Sequence, residues 1–294
     1  MAELIAIVAP VYVCAGIGFA WVRSGRRFDA ALMTDLVYFV GSPCLVFSSL
    51  VSQALDVGEL RDMMVASLLS LAALAALGAL VLRGAGLPLS TYLAPMIFGN
   101  SGNMGLPLCL FAFGDTGLAL AIGYFATTTL AQFTAGQAIW SGRTSLGELV
   151  RSPLVWSVGL AVTVLATGFE TPRVVLRTTR MLGDMTIPIM QLMLGVSLAS
   201  LEVKGLARGV GLSVLKIGGG AAVGAVVGAA MGLGEVARGV LVLQCAMPVA
   251  VFNYMFAVRY GRAPAEVASV IVVSTLIALA TTPLLLAFLP TAAG

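Results

Sequence analysis

The stretch LAPMIFGNSGNMGLPLCLF, residues 93–111, lies within a run of 31 residues, 84–114, that carries no charge. Its centre places Gly99, Asn100, Ser101, Gly102, Asn103, Gly105 and Pro107 in nine consecutive positions. A regular helix disfavours that composition, because an interior Gly costs about 1 kcal/mol and an interior Pro about 3 kcal/mol. In hydrocarbon, each backbone N–H or C=O freed by a break costs several kcal/mol more unless protein or water satisfies it. The stretch therefore predicts a broken membrane helix whose interruption is enclosed by protein or lines a polar cavity. A second stretch, VLVLQCAMPVAVFNYMFAV at 240–258, repeats the theme with Gln244, Pro248 and Asn253. Two half-helix N-termini meeting near the midplane would each present about half a positive charge, an arrangement that favours an anion.

The rest of the chain fits a membrane protein. Of the 294 residues 60% are apolar and 10% charged, and the mean hydropathy is +1.04, far from an ordinary soluble domain. Ten uncharged runs occur, at 4–22, 36–55, 63–82, 84–114, 116–142, 152–169, 185–201, 217–234, 239–258 and 267–294. Each is long enough to cross a hydrocarbon core of about 30 Å as a helix, and none shows the polar–apolar alternation of barrel strands. Ten transmembrane helices are expected, all α. Glu3 stands where a signal peptide would be basic, so the first run is expected to stay in place. In segment eight, the glycines of KIGGGAAVGAVVGAAMG read as close helix packing.

Charge and missing residue types exclude several functions. Sixteen Lys and Arg against 13 Asp and Glu give a net charge of +3, too few and too scattered for a nucleic-acid interface. The chain has no histidine, which removes His-ligated metals, Ser-His-Asp and Cys-His nucleophiles, and imidazole proton relays. Cys14, Cys44, Cys109 and Cys245 lie singly in apolar runs and read as free, packed thiols. No cofactor and no metal site are expected.

Loop charges set the orientation. Loops after odd-numbered segments carry Arg23, Arg26, Arg27, Arg83, Arg143, Arg151, Lys204, Arg208, Arg259 and Arg262; the other side carries Arg61, Arg173, Arg177, Arg180 and Arg238. The positive-inside rule then puts both termini outside the cell (inner) membrane. Arg173, Arg177 and Arg180 share one face of a helix expected to lie on the outer surface. The chain also divides into echoing halves, 1–142 and 143–294: Pro43 recurs at Pro188 and Pro107 at Pro248. Five helices per half would force the second copy to insert upside down, an inverted repeat of the kind found in secondary transporters.

Other polar residues near the hydrocarbon have two readings each. Asp184, just before Met-Thr-Ile-Pro188, reads as a proton-coupling carboxylate or as a helix N-cap. Asp35 reads as a functional carboxylate near the hydrocarbon or as an interfacial partner of the Arg23, Arg26 and Arg27 cluster. Lys216 is expected to snorkel its ammonium to the cytoplasmic surface. Thr127, Thr128, Thr129, Gln132 and Gln137 line a cavity or, for the hydroxyls, bond back to their own helix.

The motifs GNSGNMGLPL (99–108), IPIMQLMLGVSLA (187–199) and AMPVAVFNYMFAVRYG (246–261) resemble the auxin efflux carrier family, which includes the plant PIN carriers and bacterial organic-acid carriers. The similarity runs from Leu4 to Leu289, and the short link between segments five and six matches the compact bacterial type. The resemblance implies two inverted repeats of five helices, similar to the bile acid sodium symporter fold, with segments four and nine crossing at their breaks. It also implies an elevator-like moving core and transport of organic carboxylates. Asn100 and Pro107 match the family's Asn and Pro of the first crossing, Pro248 matches the Pro of the second, and Asn253 an Asn common in bacterial members. Asp62 matches an Asp that plant carriers follow four residues later with Lys; here that position is Ala66, which leaves a coupling role for Asp62 open.

The expectation is thus a secondary transporter of an anionic organic acid, working by alternating access within the lipid bilayer. Asn100, Ser101, Asn103, Gln191, Gln244 and Asn253 would bind the substrate. Gly99, Gly102, Gly105, Pro107, Pro248, Pro43 and Pro188 would shape the breaks, and Asp62 or Asp184 would serve any proton coupling. A homodimer is left open. The rivals are an anion channel and a membrane-embedded transferase for lipid or prenyl substrates, the latter lacking a carboxylate cluster or any His for its chemistry.

Overall fold

The structure is a computed structural model that describes residues 2–52, 57–141, 153–200 and 206–289. It is 86% helix. In chain order the helices are α1 (Ala2–Arg23), α2 (Ala30–Leu36), α3 (Ser42–Ser52), α4 (Val57–Gly84), α5 (Leu89–Ile97), α6 (Leu106–Ala131), α7 (Gln137–Ser141), α8 (Pro153–Thr167), α9 (Arg173–Asp184), α10 (Thr186–Ser200), α11 (Leu206–Ala230), α12 (Glu235–Cys245), α13 (Phe252–Arg259) and α14 (Pro264–Ala287). The loop residues Arg143, Arg151 and Lys204 and the 142/143 boundary lie outside the described residues.

Among the described residues, six helical runs are long and apolar enough to cross a membrane: Ala30–Ser52, Gly58–Gly84, Ser101–Ser141, Arg173–Ala199, Arg208–Ala230 and Pro264–Ala287; Ala9–Arg23 and Val155–Thr167 are shorter apolar helices. Large apolar side chains remain exposed on several helices, among them Leu80, Trp156, Val226 and Leu284. A surface of that kind is stable only where lipid covers it.

Local irregularities have local causes. Among the described residues, single π turns interrupt the helices at Val37–Gly41, Ser101–Gly105 and Gln132–Gly136. The first lies just ahead of Pro43, which has no N–H to continue the ladder, so the preceding turn widens. Pro188 sits in the first turn of α10, where a missing N–H costs nothing. Inside α6, Gly114 adopts φ 67° and ψ −162°, a conformation open to glycine alone, and kinks the run.

The helices associate in two groups. In one, α1 lies along α10, and α3 packs on α8 and α9. In the other, α4 packs on α5, α6 and α11, and α11 on α12 and α14. Small residues set the close approaches: a Cβ on Gly18 or Gly195 would overlap backbone of the facing helix in the α1–α10 pair. In α11 a Cβ on Gly220 or Gly224 would meet the α12 backbone, so the glycines of segment eight do serve packing. The groups touch where α10 packs on the π turn Ser101–Gly105 and where α1 and α3 meet α6.

Two expectations need correction. Asp35 is exposed, and among the described residues the ion pairs are Arg61–Asp62 and Arg208–Glu266, so Asp35 does not pair with the N-terminal arginines. Arg26 instead lies over the Trp21 ring, 5.0 Å from its centroid. A stacked guanidinium keeps its hydration on the open side, which an exposed ion pair would gain little by replacing. Lys216 does not snorkel, and its position is taken up below. The four cysteines are free; Cys109 and Cys245 are buried, whereas Cys14 and Cys44 are half-buried.

Candidate functional site: the crossing of two broken helices

Between α5 and the following π turn the chain is extended at Phe98–Asn100, and between α12 and α13 it is non-helical from Ala246 to Val251. The two extended pieces pair antiparallel as an isolated bridge between Gly99 and Val249. The Asn100 N–H donates to the Pro248 carbonyl at 2.6 Å, and the Ala250 N–H donates to the Phe98 carbonyl at 3.2 Å. Each break thus supplies the partners the other lacks, which is how non-helical backbone survives away from water. The Val249 N–H is met by the Ser274 hydroxyl of α14 at 3.1 Å. A Cβ on Gly99 would lie 3.0 Å from the Met247 carbonyl oxygen.

Asn253 braces this crossing. It is fully buried, and its Nδ2 donates to Phe98 O at 3.3 Å and to Ala250 O at 3.0 Å. Its Oδ1 has no partner. Asn100 is also buried, yet its Nδ2 meets no acceptor. Ser101 Oγ lies 3.4 Å from Thr128 Oγ1, while Thr127 and Thr128 both bond back to their own helix, at Gly123 O and Phe125 O. Asn103 is half-buried.

Further groups pack around the crossing. Gln244, at the end of α12, is buried with neither amide atom hydrogen-bonded, and a Cβ on Gly105 would overlap that amide. Gln191 of α10 is buried with Nε2 unpaired. Gly102 of the π turn accepts Met190 of that helix at close range: a Cβ there would sit 3.0 Å from Met190 Cε and 2.9 Å from the Phe125 ring. Gln132 Nε2 is also unpaired, whereas Gln137 Nε2 donates to the Tyr260 hydroxyl at 3.3 Å.

Lys216 is a residue that reading by depth misplaced. Its side chain is 2% exposed, and Nζ donates to the Ile97 carbonyl at 3.2 Å, at the C-terminal end of α5. It therefore points into the crossing. The helix end offers a negative dipole that hydrocarbon and headgroups at this point of the helix do not. Nothing in the run SVLKIGGG names a carbonyl 119 residues away, so no local signal marks the contact.

The carboxylates proposed for coupling are elsewhere. Asp62 is half-buried and ion-paired to the exposed Arg61, with Nη2 at 2.8 Å and Nε at 3.0 Å. Asp184 ends α9 and lines a cavity of about 280 Å³ between α3, α6, α9 and α10, together with Ser48, Ser49, Ser52, Asp115 and Arg180. None of the crossing residues lines that cavity, although Pro188 on its wall is one turn of α10 from Gln191. Arg173, Arg177 and Arg180 are all exposed on α9. No group of three or more acidic or thiol side chains able to hold a metal occurs among the described residues.

Two comparisons find sequences similar to this chain. An uncharacterized transporter of Methanocaldococcus jannaschii is 26% identical over 190 residues, a match covering 61% of this chain and 61% of that relative. The family of membrane transport proteins matches in two consecutive blocks, residues 4–136 and 137–286. Because that match takes in nearly all of the sequence, the chain belongs to the membrane transport protein family, that of the auxin efflux carriers.

Proposed function

We propose that this chain is a secondary carrier for an anionic organic acid, bound at the crossing and passed by alternating access. The observation that carries this reading is the set of buried amide N–H groups without partners: Asn100 Nδ2, Gln191 Nε2 and Gln244 Nε2. Buried polar groups in native proteins are nearly always satisfied, so a cluster of orphan donors calls for a bound acceptor. A carboxylate has the acceptor capacity to meet several of them, and the N-terminal ends of α6 and α13, both at the crossing, add positive potential. Ser101, Asn103 and the Oδ1 of Asn253 complete the polar lining.

In this reading ten spans form two inverted repeats. Span four is α5 with the first part of α6, and span nine is α12 with α13. The group built on α4, α5, α6, α11, α12 and α14 carries the crossing and slides against the group built on α1, α3, α8, α9 and α10. Gln191 then faces the substrate from the stationary side, and the cavity bounded by Arg180 and Asp184 is the approach from outside. Desolvating an anion costs several kcal/mol, which hydrogen bonds from unpaired donors offset.

The test is binding of a carboxylic acid and of its neutral amide to the purified, reconstituted chain between pH 5 and 8, followed by counterflow of the bound acid. The acid should bind in proportion to its ionised fraction and should drive exchange. Equal or tighter binding of the amide refutes the anion site, and current without saturation would mark a channel.

A further inference from the structure

Ile97 is the last residue of α5, so its carbonyl is among those that a helix end leaves without an intrahelical partner. Its neighbours in the crossing are provided for by backbone: Phe98 O receives the Ala250 N–H, and Pro248 O receives the Asn100 N–H. The Ile97 carbonyl is met by the Lys216 ammonium at 3.2 Å. That ammonium also packs against the extended backbone, 3.4 Å from where a Cβ on Gly99 would stand. No carboxylate occurs in either crossing segment, 84–114 or 239–258, so the charge is held by the dipole of the helix end and by the Ile97 carbonyl oxygen.

Half-helix C-terminal ends and unwound carbonyls are the places where carriers built on broken helices hold metal cations. Here a side chain of α11 brings a positive charge to such a place and fills it. A second, unattached cation at the same carbonyl would face a fixed like charge in a medium of low permittivity, where repulsion is little screened.

We propose that Lys216 is a tethered cation that takes the place of a coupling metal ion at the crossing, so that this carrier binds its anion without sodium. The transport meaning of this rests on the anion site proposed above; the occupancy of the α5 end by a fixed charge does not. With Lys216 in place, a bound monoanion leaves the crossing neutral and the empty crossing is positive. Membrane potential then acts on the return of the empty core rather than on the loaded step.

The experiment is thermal melting of the full chain in lipid nanodiscs, in NaCl, LiCl, KCl or choline chloride at equal ionic strength. The wild-type melting temperature should be the same in all four salts. Lys216→Ala should melt lower in choline chloride and recover most of that loss in NaCl or LiCl, whose ions are small enough to reach the vacated carbonyl. Should Lys216→Ala fail to fold, Lys216→Gln keeps a donor for Ile97 without the charge, and sodium should raise its melting temperature as well. A wild type stabilised by sodium over choline overturns the proposal, as does a neutral variant whose stability no cation restores. These measurements need no substrate, so a chain that binds no carboxylate would refute the anion site and leave this result standing.

Discussion

The two asparagines of the crossing should respond to truncation in opposite ways. Asn253→Ala removes two donations, to Phe98 O at 3.3 Å and Ala250 O at 3.0 Å. Both carbonyls keep a second bond, from the Ala250 and Asn253 backbone N–H groups, so neither is orphaned. Each lost bond is worth about 0.5–1.5 kcal/mol net. The hole left by the amide adds to that sum, while deletion of the unpaired Oδ1 subtracts from it. The result is about 2 kcal/mol, which at about 2–4 °C per kcal/mol lowers the melting temperature by about 4–8 °C. Asn100→Ala keeps the backbone bonds to Pro248 O and from Gly105 N and removes an Nδ2 that donates to nothing. Its φ of −76° and ψ of 58° suit alanine, so stability should stay within about 0.5 kcal/mol of wild type. Transport should nonetheless be lost in Asn100→Ala if, as proposed above, its free donor is the group offered to the substrate. Melting by intrinsic fluorescence and uptake into proteoliposomes measure the two effects separately. If Asn100→Ala melts as low as Asn253→Ala, the Asn100 amide is structural and the reasoning fails.

Gly105→Ala should reduce transport, since its Cβ would displace the buried Gln244 amide; Gln244→Ser in the same chain should restore fold stability but not uptake. Gly195→Ala should cost more than about 3 kcal/mol, because the clash is with Ala15 backbone and no side chain can yield, whereas Gly16→Ala, with nothing within 4 Å, should be neutral or stabilising by up to about 1 kcal/mol. Comparing the two melting curves checks both. In a chain lacking the native cysteines, Ser24→Cys should be labelled from the cytoplasmic side and Gly58→Cys from outside by an impermeant reagent; reaction of Ser24→Cys from outside reverses the orientation.

The breaks were legible because hydrocarbon makes backbone irregularity expensive: Gly99 to Pro107 and Gln244 to Asn253 could not be tolerated unless something enclosed them. The dense glycines of α11 were likewise readable as packing, since Gly220 and Gly224 have no other use in an apolar run. Contacts distant in sequence were not. Lys216 reaches a carbonyl on another helix, and its neighbours Leu215 and Ile217 carry no hint of which way it turns. The same holds for the difference between Asn100 and Asn253, which are both asparagines in broken helices. One has acceptors in reach and the other does not, a matter of side-chain geometry in a cross-chain pairing. Asp35 failed for a different reason: proximity in sequence to Arg23, Arg26 and Arg27 does not outweigh hydration of exposed charges.

The pairing of Gly99 with Val249 also bears on how the chain is made. The carbonyl of Phe98 and the N–H of Asn100 find their partners at Ala250 and Pro248, about 150 residues further along. At ribosomal rates of about 5–20 residues per second, some 8–30 s pass before those partners exist. During that interval the first break has unmet polar backbone beside or within lipid, and it must wait near water, lipid headgroups or the insertion machinery rather than settle at depth. The first break therefore cannot mature ahead of the second, and a ribosome stalled between the two would leave a membrane-bound fragment marked for removal by the exposed backbone of residues 98–100.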